Sequence, residues 1–473
     1  MKTLSRMAIV VALTAMLCFA SCSNVNVEKS ANADAKVEQL SLPDWSRDAV
    51  IYEVNLRQYT PEGTIEAFRA HLPRLQQLGV KLLWFMPVSP IGKVDRKGTL
   101  GSYYSVQDYC AVNPEFGTMD DFKLLVKEAH QHGMKVIIDW VANHTSRDHA
   151  WVAAHPDWYV TGKDGKPVGP YDWTDVAQLS YAGENMQKEM IASMKYWLTE
   201  ADIDGFRCDV ARLASDYVTE QQALDFWVAA RKACDAVKPV FMLAEDEGFR
   251  ALTDTAFDAN YGWELHHLMN GIAQEKNSVK DLQKYLERDI LNFQKRTFRM
   301  LFTSNHDENS WNGTEFMRMG DAAETMAALS FTLPGFPLIY TGQEVGSKRS
   351  LEFFEKDVTS CENEERFTAL YKNLIALKSG HSALHNGLYG ADMVWVNTSQ
   401  GKKALAFVRE DERSKVFCLF NLSPDVIKNV ELEGDAFYGT YSVWGKNMRV
   451  TFGAKPCFIL NPWEYRIYAM EKP

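Results

Sequence analysis

Lys135-Val-Ile-Ile-Asp139-Trp-Val-Ala-Asn143-His144 decides the fold once it is set beside three companions. Gly205-Phe-Arg207-Cys-Asp209-Val-Ala211, Pro239-Val-Phe-Met-Leu-Ala-Glu245 and Met300-Leu-Phe-Thr-Ser-Asn305-His306-Asp307 repeat its pattern, a short apolar run ending on a carboxylic acid with polar company. Strands buried on both faces of a parallel sheet read as continuous apolar runs, whereas one-sided antiparallel strands alternate. A closed barrel of such strands presents its functional side chains at the strand C-termini. The four segments therefore read as four strands delivering acids to one mouth.

Outward from these segments, strand and helix patterns alternate from residue 48 to about 378, as βα units require. Strands are predicted over 49–55, 82–88, 136–141, 206–210, 240–245, 257–261 and 300–304, with an eighth from Phe336, and helices over 64–78, 119–132, 182–199 and 219–237. The expected fold is an α/β (β/α)8 barrel over 44–380. Residues 144–181, rich in Trp, Asp, Gly and Pro, are too long for a routine βα loop and read as a short insertion after the third strand. From 381 to 473 the pattern changes to short alternating strands at 393–397, 404–409, 416–422, 441–443 and 465–470, which predicts an antiparallel β-sandwich.

The acids suit one reaction. Retaining cleavage of a glycosidic bond needs a carboxylate nucleophile and a second, protonated carboxyl roughly 5 Å away to donate to the leaving oxygen. Asp209 is the candidate nucleophile, because Arg207 shares its strand face and a nearby cation keeps a carboxylate ionised. Glu245 follows an unbroken apolar run, so desolvation is expected to raise its pKa into the range of an acid/base. Asp307 with His306 is placed to orient sugar hydroxyls as the ring flattens. Any one of these acids alone reads as a helix cap or loop residue, and each histidine alone as a buried core residue. Their joint occurrence in four strand ends is what points to chemistry.

The order and content of the segments resemble the alpha-amylase family of glycoside hydrolases (family 13), as does Phe336-Pro-Leu-Ile-Tyr340-Thr-Gly-Gln-Glu344. The resemblance implies a retaining α-glucan hydrolase that cuts α-1,4 links in starch or maltooligosaccharides. Asp209, Glu245 and Asp307 then match nucleophile, acid/base and transition-state stabiliser. His144, Arg207 and His306 match binding residues for the reacting sugar, and Asp139 a buried structural acid. Leu100-Gly-Ser-Tyr-Tyr104 begins a stretch similar to the family loop whose aromatic stacks on that sugar, which assigns Tyr104. The insertion falls where the family carries its domain B. No cofactor is implied for the chemistry. Asn143 matches a family calcium ligand, with Asp172 or Asp175 as further oxygens, although Arg212-Leu213 stands where many calcium-binding amylases have Lys-His. An α-1,6-glucosidase, a cyclomaltodextrinase or a transglucosylase of the same family stays open, as does, from another class, a non-catalytic glycan-binding protein.

Composition narrows the partners. A net charge of −11 with pI near 5.6 lacks the basic stripe of a nucleic-acid binder. With 46% hydrophobic and 24% charged residues, a core forms without staples. Lys2 and Arg6, an apolar stretch over 7–20 and small residues before Cys22 read as a lipoprotein signal peptide (1–21), with cleavage before Cys22 and acylation of its thiol. Residues 22–43 read as a polar tether. A lipid anchor to a bacterial envelope membrane is therefore expected, facing the periplasm or the cell exterior. Of the six cysteines left, none has metal-ligand spacing, and a Cys418–Cys457 disulfide is one open pairing.

Overall fold

A computed structural model describes residues 42–473 except 215, 294–297, 362–363 and 473. Residues 1–41, with the expected signal peptide, Cys22 and most of the tether, lie outside the described residues. Leu42, placed by sequence at the tether's end, is buried at the foot of the barrel, where its carbonyl accepts from the Tyr389 hydroxyl at 2.9 Å.

Eight parallel strands close into a barrel: β1 (Ile51–Val54), β2 (Leu82–Phe85), β3 (Lys135–Val141), β4 (Gly205–Asp209), β5 (Phe241–Ala244), β6 (Ala259–Tyr261), β7 (Phe298–Leu301) and β8 (Phe336–Tyr340). Each pairs with its neighbour in sequence and β8 returns to β1. All eight predicted strands exist, although β7 begins two residues earlier than the 300–304 reading and β6 is confined to three residues. Every position of β1, β2, β5 and β8 is buried, which is why β2, β5 and β8 read as unbroken apolar runs. Side chains alternate between the outer helices and the barrel interior. Deep in the interior Ile51, Leu82, Ile137, Phe241 and Leu338 form an apolar cluster. Two residues further along the same face of β1 and β3 stand Glu53 and Asp139, with Arg207 in register beside Asp139. The inward face thus turns from oil to charge toward the strand C-termini. Gly205, at φ +151°, starts β4 where an added Cβ would lie 1.9 Å from the Phe241 carbonyl oxygen, so the β4–β5 approach needs a glycine.

The helix predicted over 64–78 is two, Ile65–Arg69 and Leu72–Leu78. Pro73 has no N–H to offer Arg69, but it is tolerated in the first turn of the second piece. Gly79, at φ +99°, closes that piece. Met119–Gln131 and Glu220–Asp235 start on capping boxes built by Thr118 with Asp121 and Thr219 with Gln222. In the insertion His144–Ser146 pairs antiparallel with Val176–Gln178, with His144 opposite Gln178.

The C-terminal region is a six-stranded antiparallel sheet faced by a two-stranded one, Ile427–Glu431 with Cys457–Leu460. Phe417, Tyr441 and Phe452 from the first and Val430, Phe458 and Leu460 from the second share one core. The Cys418–Cys457 disulfide is not formed. Cys418 is a buried free thiol in the large sheet and Cys457 an exposed one on the small sheet. Among the described residues no helix is long and apolar enough to cross a membrane.

Candidate active site

The register of β3, β4 and β5 assembles the centre. Asp139 lies opposite Arg207 and Val141 opposite Asp209, while Cys208 lies opposite Ala244, so Glu245 leaves β5 level with Asp209. Arg207 is fully buried, and its guanidinium joins all three acids. Nη1 donates to Asp139 at 2.9 and 3.2 Å and to Asp209 Oδ1 at 3.1 Å, and Nη2 lies 3.1 Å from Glu245 Oε2. Nε donates to the Tyr261 hydroxyl at 3.0 Å, and the Trp84 ring lies 5.1 Å from the guanidinium carbon. Such a planar fork can serve several carboxylates at once.

Directly after β4 the chain makes a costly turn. Val210, β-branched, sits at φ +41°, a conformation costing about 1–3 kcal/mol that persists where the surroundings impose it. Its N–H donates to Glu245 Oε2 at 2.8 Å. Glu245 therefore meets a cation and an N–H donor, where the apolar run before it suggested a dry pocket. Asp209 is buried. Burial pushes the Asp209 carboxyl well above the usual range, the Glu245 carboxylate adds to this, and Arg207 opposes it without prevailing. The sequence reading counted the Arg207 cation, which does favour the carboxylate, but not the burial and the Glu245 charge that act against it. Asp209 Oδ2 has no hydrogen-bond partner.

A second network runs through the histidine of the seventh segment. The Tyr104 hydroxyl lies 2.7 Å from His306 Nε2 and donates to Asp139 Oδ2 at 3.0 Å, and its ring stacks on His306 at 5.4 Å. His306 Nδ1 pairs with Glu53 at 2.5 Å, and Nε2 lies 3.4 Å from Asp307, whose side chain is 35% exposed. Burial acts against a charge on His306, but Asp307 and Glu53 outweigh it and the imidazole is pushed up to about 9. His144 is buried beneath Trp173, and burial pushes it down to about 4, so it is neutral. Glu53, Asp139, Asp209, Glu245 and Asp307 thus share two cations, Arg207 and His306, an excess of acid that favours retention of a proton within the cluster.

Sequence reasoning placed Tyr104, Asp139, His144, Arg207, Asp209, Glu245, His306 and Asp307 in one site; the structure brings seven of them together, with His144 beside them on the Tyr104 backbone. It passed over Glu53, Trp84 and Tyr261. The signal for Glu53 was present, since a lone acid inside Ile-Tyr-Glu-Val is hard to explain in a strand buried at every position.

Asn143 does not reach toward a carboxylate cluster. Its Oδ1 accepts the Ala214 N–H at 2.8 Å and the Gln178 side-chain nitrogen at 3.2 Å. Asp175 is paired with Lys97 at 3.2 Å, and Asp172 is exposed. Among the described residues no group of three or more His, Cys, Asp or Glu could hold a metal ion. Asn143 Oδ1 is thus committed to two protein donors.

A closed parallel barrel with acids and a buried arginine converging at its C-terminal mouth defines the class of (β/α)8 proteins whose chemistry lies at the strand ends. The family model described as the catalytic domain of alpha amylase matches residues 28–376. The chain belongs to the alpha-amylase family. Alpha-amylase 3 of Dictyoglomus thermophilum is 27% identical over 339 residues, 65% of this chain and 66% of that protein. Alpha-amylase MalA of Haloarcula japonica is 26% identical over 355 residues, 68% of this chain and 50% of that protein. The alignments therefore span two thirds or less of these curated relatives' own length. The crystal structure of a maltogenic alpha-amylase, AmyB from Thermotoga neapolitana, superposes with a TM-score of 0.80 at 27% identity, covering 90% of this chain and 99% of that one.

Proposed function

We propose that the protein is a retaining hydrolase of α-1,4-glucosidic bonds in starch-like glucans or maltooligosaccharides, with Asp209 as nucleophile, Glu245 as acid/base and Asp307 as transition-state stabiliser. The observation that carries this reading is the shared guanidinium. Asp209 and Glu245 sit on the two terminal nitrogens of Arg207, which holds them close together, as a double displacement needs. Asp209 attacks the anomeric carbon while Glu245 gives its proton to the departing glycosidic oxygen, leaving a glycosyl ester and a free sugar hydroxyl. Glu245, now a carboxylate, takes a proton from water, and the water oxygen displaces Asp209 and restores the α configuration. Tyr104 stacks on the reacting sugar, and His144, Arg207 and charged His306 supply hydrogen bonds to it. Asp307 tightens its hold on the ring hydroxyls as the ring flattens, and Asp139 anchors Arg207. No step of this route calls for a metal.

Early products are accordingly expected as α-anomers, observed by proton NMR before mutarotation. An initial β-anomer means a single displacement by water and removes Asp209 from the nucleophile's role. Products from starch, pullulan, isomaltose and cyclodextrins then distinguish α-1,4 hydrolysis from the α-1,6, cyclodextrin-opening and transfer alternatives.

The N-terminal sequence supports a second proposal, that Cys22 carries lipid and fixes the protein to a bacterial envelope membrane. One acyl chain binds only marginally, whereas several make a stable anchor. In fractionated cells Cys22→Ala is expected to leave the membrane fraction that holds the wild type. Equal partitioning of the two proteins overturns the anchor.

A further inference from the structure

Gln178 ends the insertion ribbon opposite His144 and is fully buried. Its side-chain nitrogen faces three oxygens, the Asn143 carbonyl at 2.9 Å, the Leu179 carbonyl at 3.0 Å and Asn143 Oδ1 at 3.2 Å. An amide nitrogen has two hydrogens, so three acceptors exceed what it can serve one by one. Oxygens converging on one buried point are the surroundings of a hard cation. The amide's own oxygen, Oε1, is buried and has no hydrogen-bond partner. Turning the amide over would set Oε1 against those three oxygens, so they dictate which end points inward, at the cost of one unpaired acceptor. Asn143 Oδ1 also takes the Ala214 N–H. The cluster thus joins the segment after β3, which carries His144, to the ribbon and to the segment that follows Asp209.

We propose that the Gln178 amide occupies the seat of a structural cation. The junction between barrel and insertion then holds together without calcium, and Gln178 is a positioning residue for the segment that carries His144 and for the turn that follows Asp209. The inference rests on this hydrogen-bond geometry and is independent of the roles assigned to the acids. Replacing one amide N–H2 by oxygen is the smallest change that reverses the logic. Gln178→Glu keeps the shape but sets a carboxylate oxygen among the three, an arrangement that needs a cation.

The test uses the full chain, with wild type and Gln178→Glu both produced in calcium and then dialysed against EDTA or millimolar calcium chloride. The wild-type thermal midpoint is expected to agree between the two buffers within about 1 °C, whereas Gln178→Glu is expected to fall by a few degrees in EDTA and recover in calcium. Recovery by the metal is a readout that general loosening of the core does not produce. A wild-type midpoint that drops in EDTA and returns with calcium overturns the proposal. So does a Gln178→Glu protein whose midpoint is the same as wild type in both buffers.

Discussion

Asp209→Asn and Glu245→Gln are each expected to lose a hundredfold or more of turnover on α-glucans while remaining folded. General acid catalysis alone is worth roughly a hundredfold or more, and loss of the nucleophile removes the covalent route altogether. The two variants part company in ways that identify the roles. A substrate with a good leaving group needs little protonation, so an activated aryl glucoside is expected to restore much of the first displacement in Glu245→Gln and none in Asp209→Asn. Stability separates them further. Burial and the neighbouring Glu245 hold the Asp209 carboxyl above its ordinary range. Its ionisation therefore works against the folded state at neutral pH, and a neutral amide there removes that burden. Asp209→Asn should melt no lower than wild type at pH 7. Either variant keeping more than about a tenth of wild-type turnover sinks the assignment, given the size of acid catalysis alone.

The barrel was legible because burial on both faces leaves little room for polar residues in the strands outside the site, so sequence alone exposes them. The C-terminal sheets were harder. Ile427–Glu431 is buried at only two of its five positions, and Cys457–Leu460 alternates between exposed and buried. Both were passed over, as was Arg449–Phe452. The helix break at Pro73 was visible in the residue but overridden by the apolar spacing on either side. Within the site, the acids carried by strand ends were readable one strand at a time. Partnerships across the barrel interior were not, because they depend on closure. Glu53 on β1 meets His306 beyond the end of β7, with β8 between the two strands, and nothing local in either segment names the other. The same limit applies to Glu245. An apolar run before Glu245 describes the strand it leaves, whereas its carboxylate meets Arg207 from the neighbouring strand and the Val210 N–H from the turn after it.

Arg207→Met is expected to cost more stability than any other single change at the site. Removing the cation leaves Asp139, with a side chain of zero exposure, together with Asp209 and Glu245 facing one another with His306 as the remaining cation of the cluster. Breaking a buried pair by deleting one partner typically costs about 3–5 kcal/mol, and here one partner serves three acids. Lysine is a poor substitute, since a single ammonium cannot span carboxylates on both ends of a planar fork. Arg207→Lys is therefore expected to fold with a lowered midpoint and little turnover. The pH dependence carries the diagnosis. Asp139 and Asp209 already sit above their ordinary values through burial, with Arg207 pulling them down, so without Arg207 their folded-state values rise further. An acid whose value is higher folded than unfolded favours folding when protonated and opposes it once pH passes the unfolded value, 3.8 for Asp. The deficit of Arg207→Met relative to wild type is then present where wild type keeps these acids ionised and narrows as pH falls through their wild-type folded-state values, and adding Asp139→Asn should recover part of it at pH 7. Urea melts of the three proteins at pH 7 and pH 5 measure this. A deficit that widens as pH falls between those values, or an Arg207→Met protein as stable as wild type at pH 7, means that the guanidinium is not what holds the acids in place.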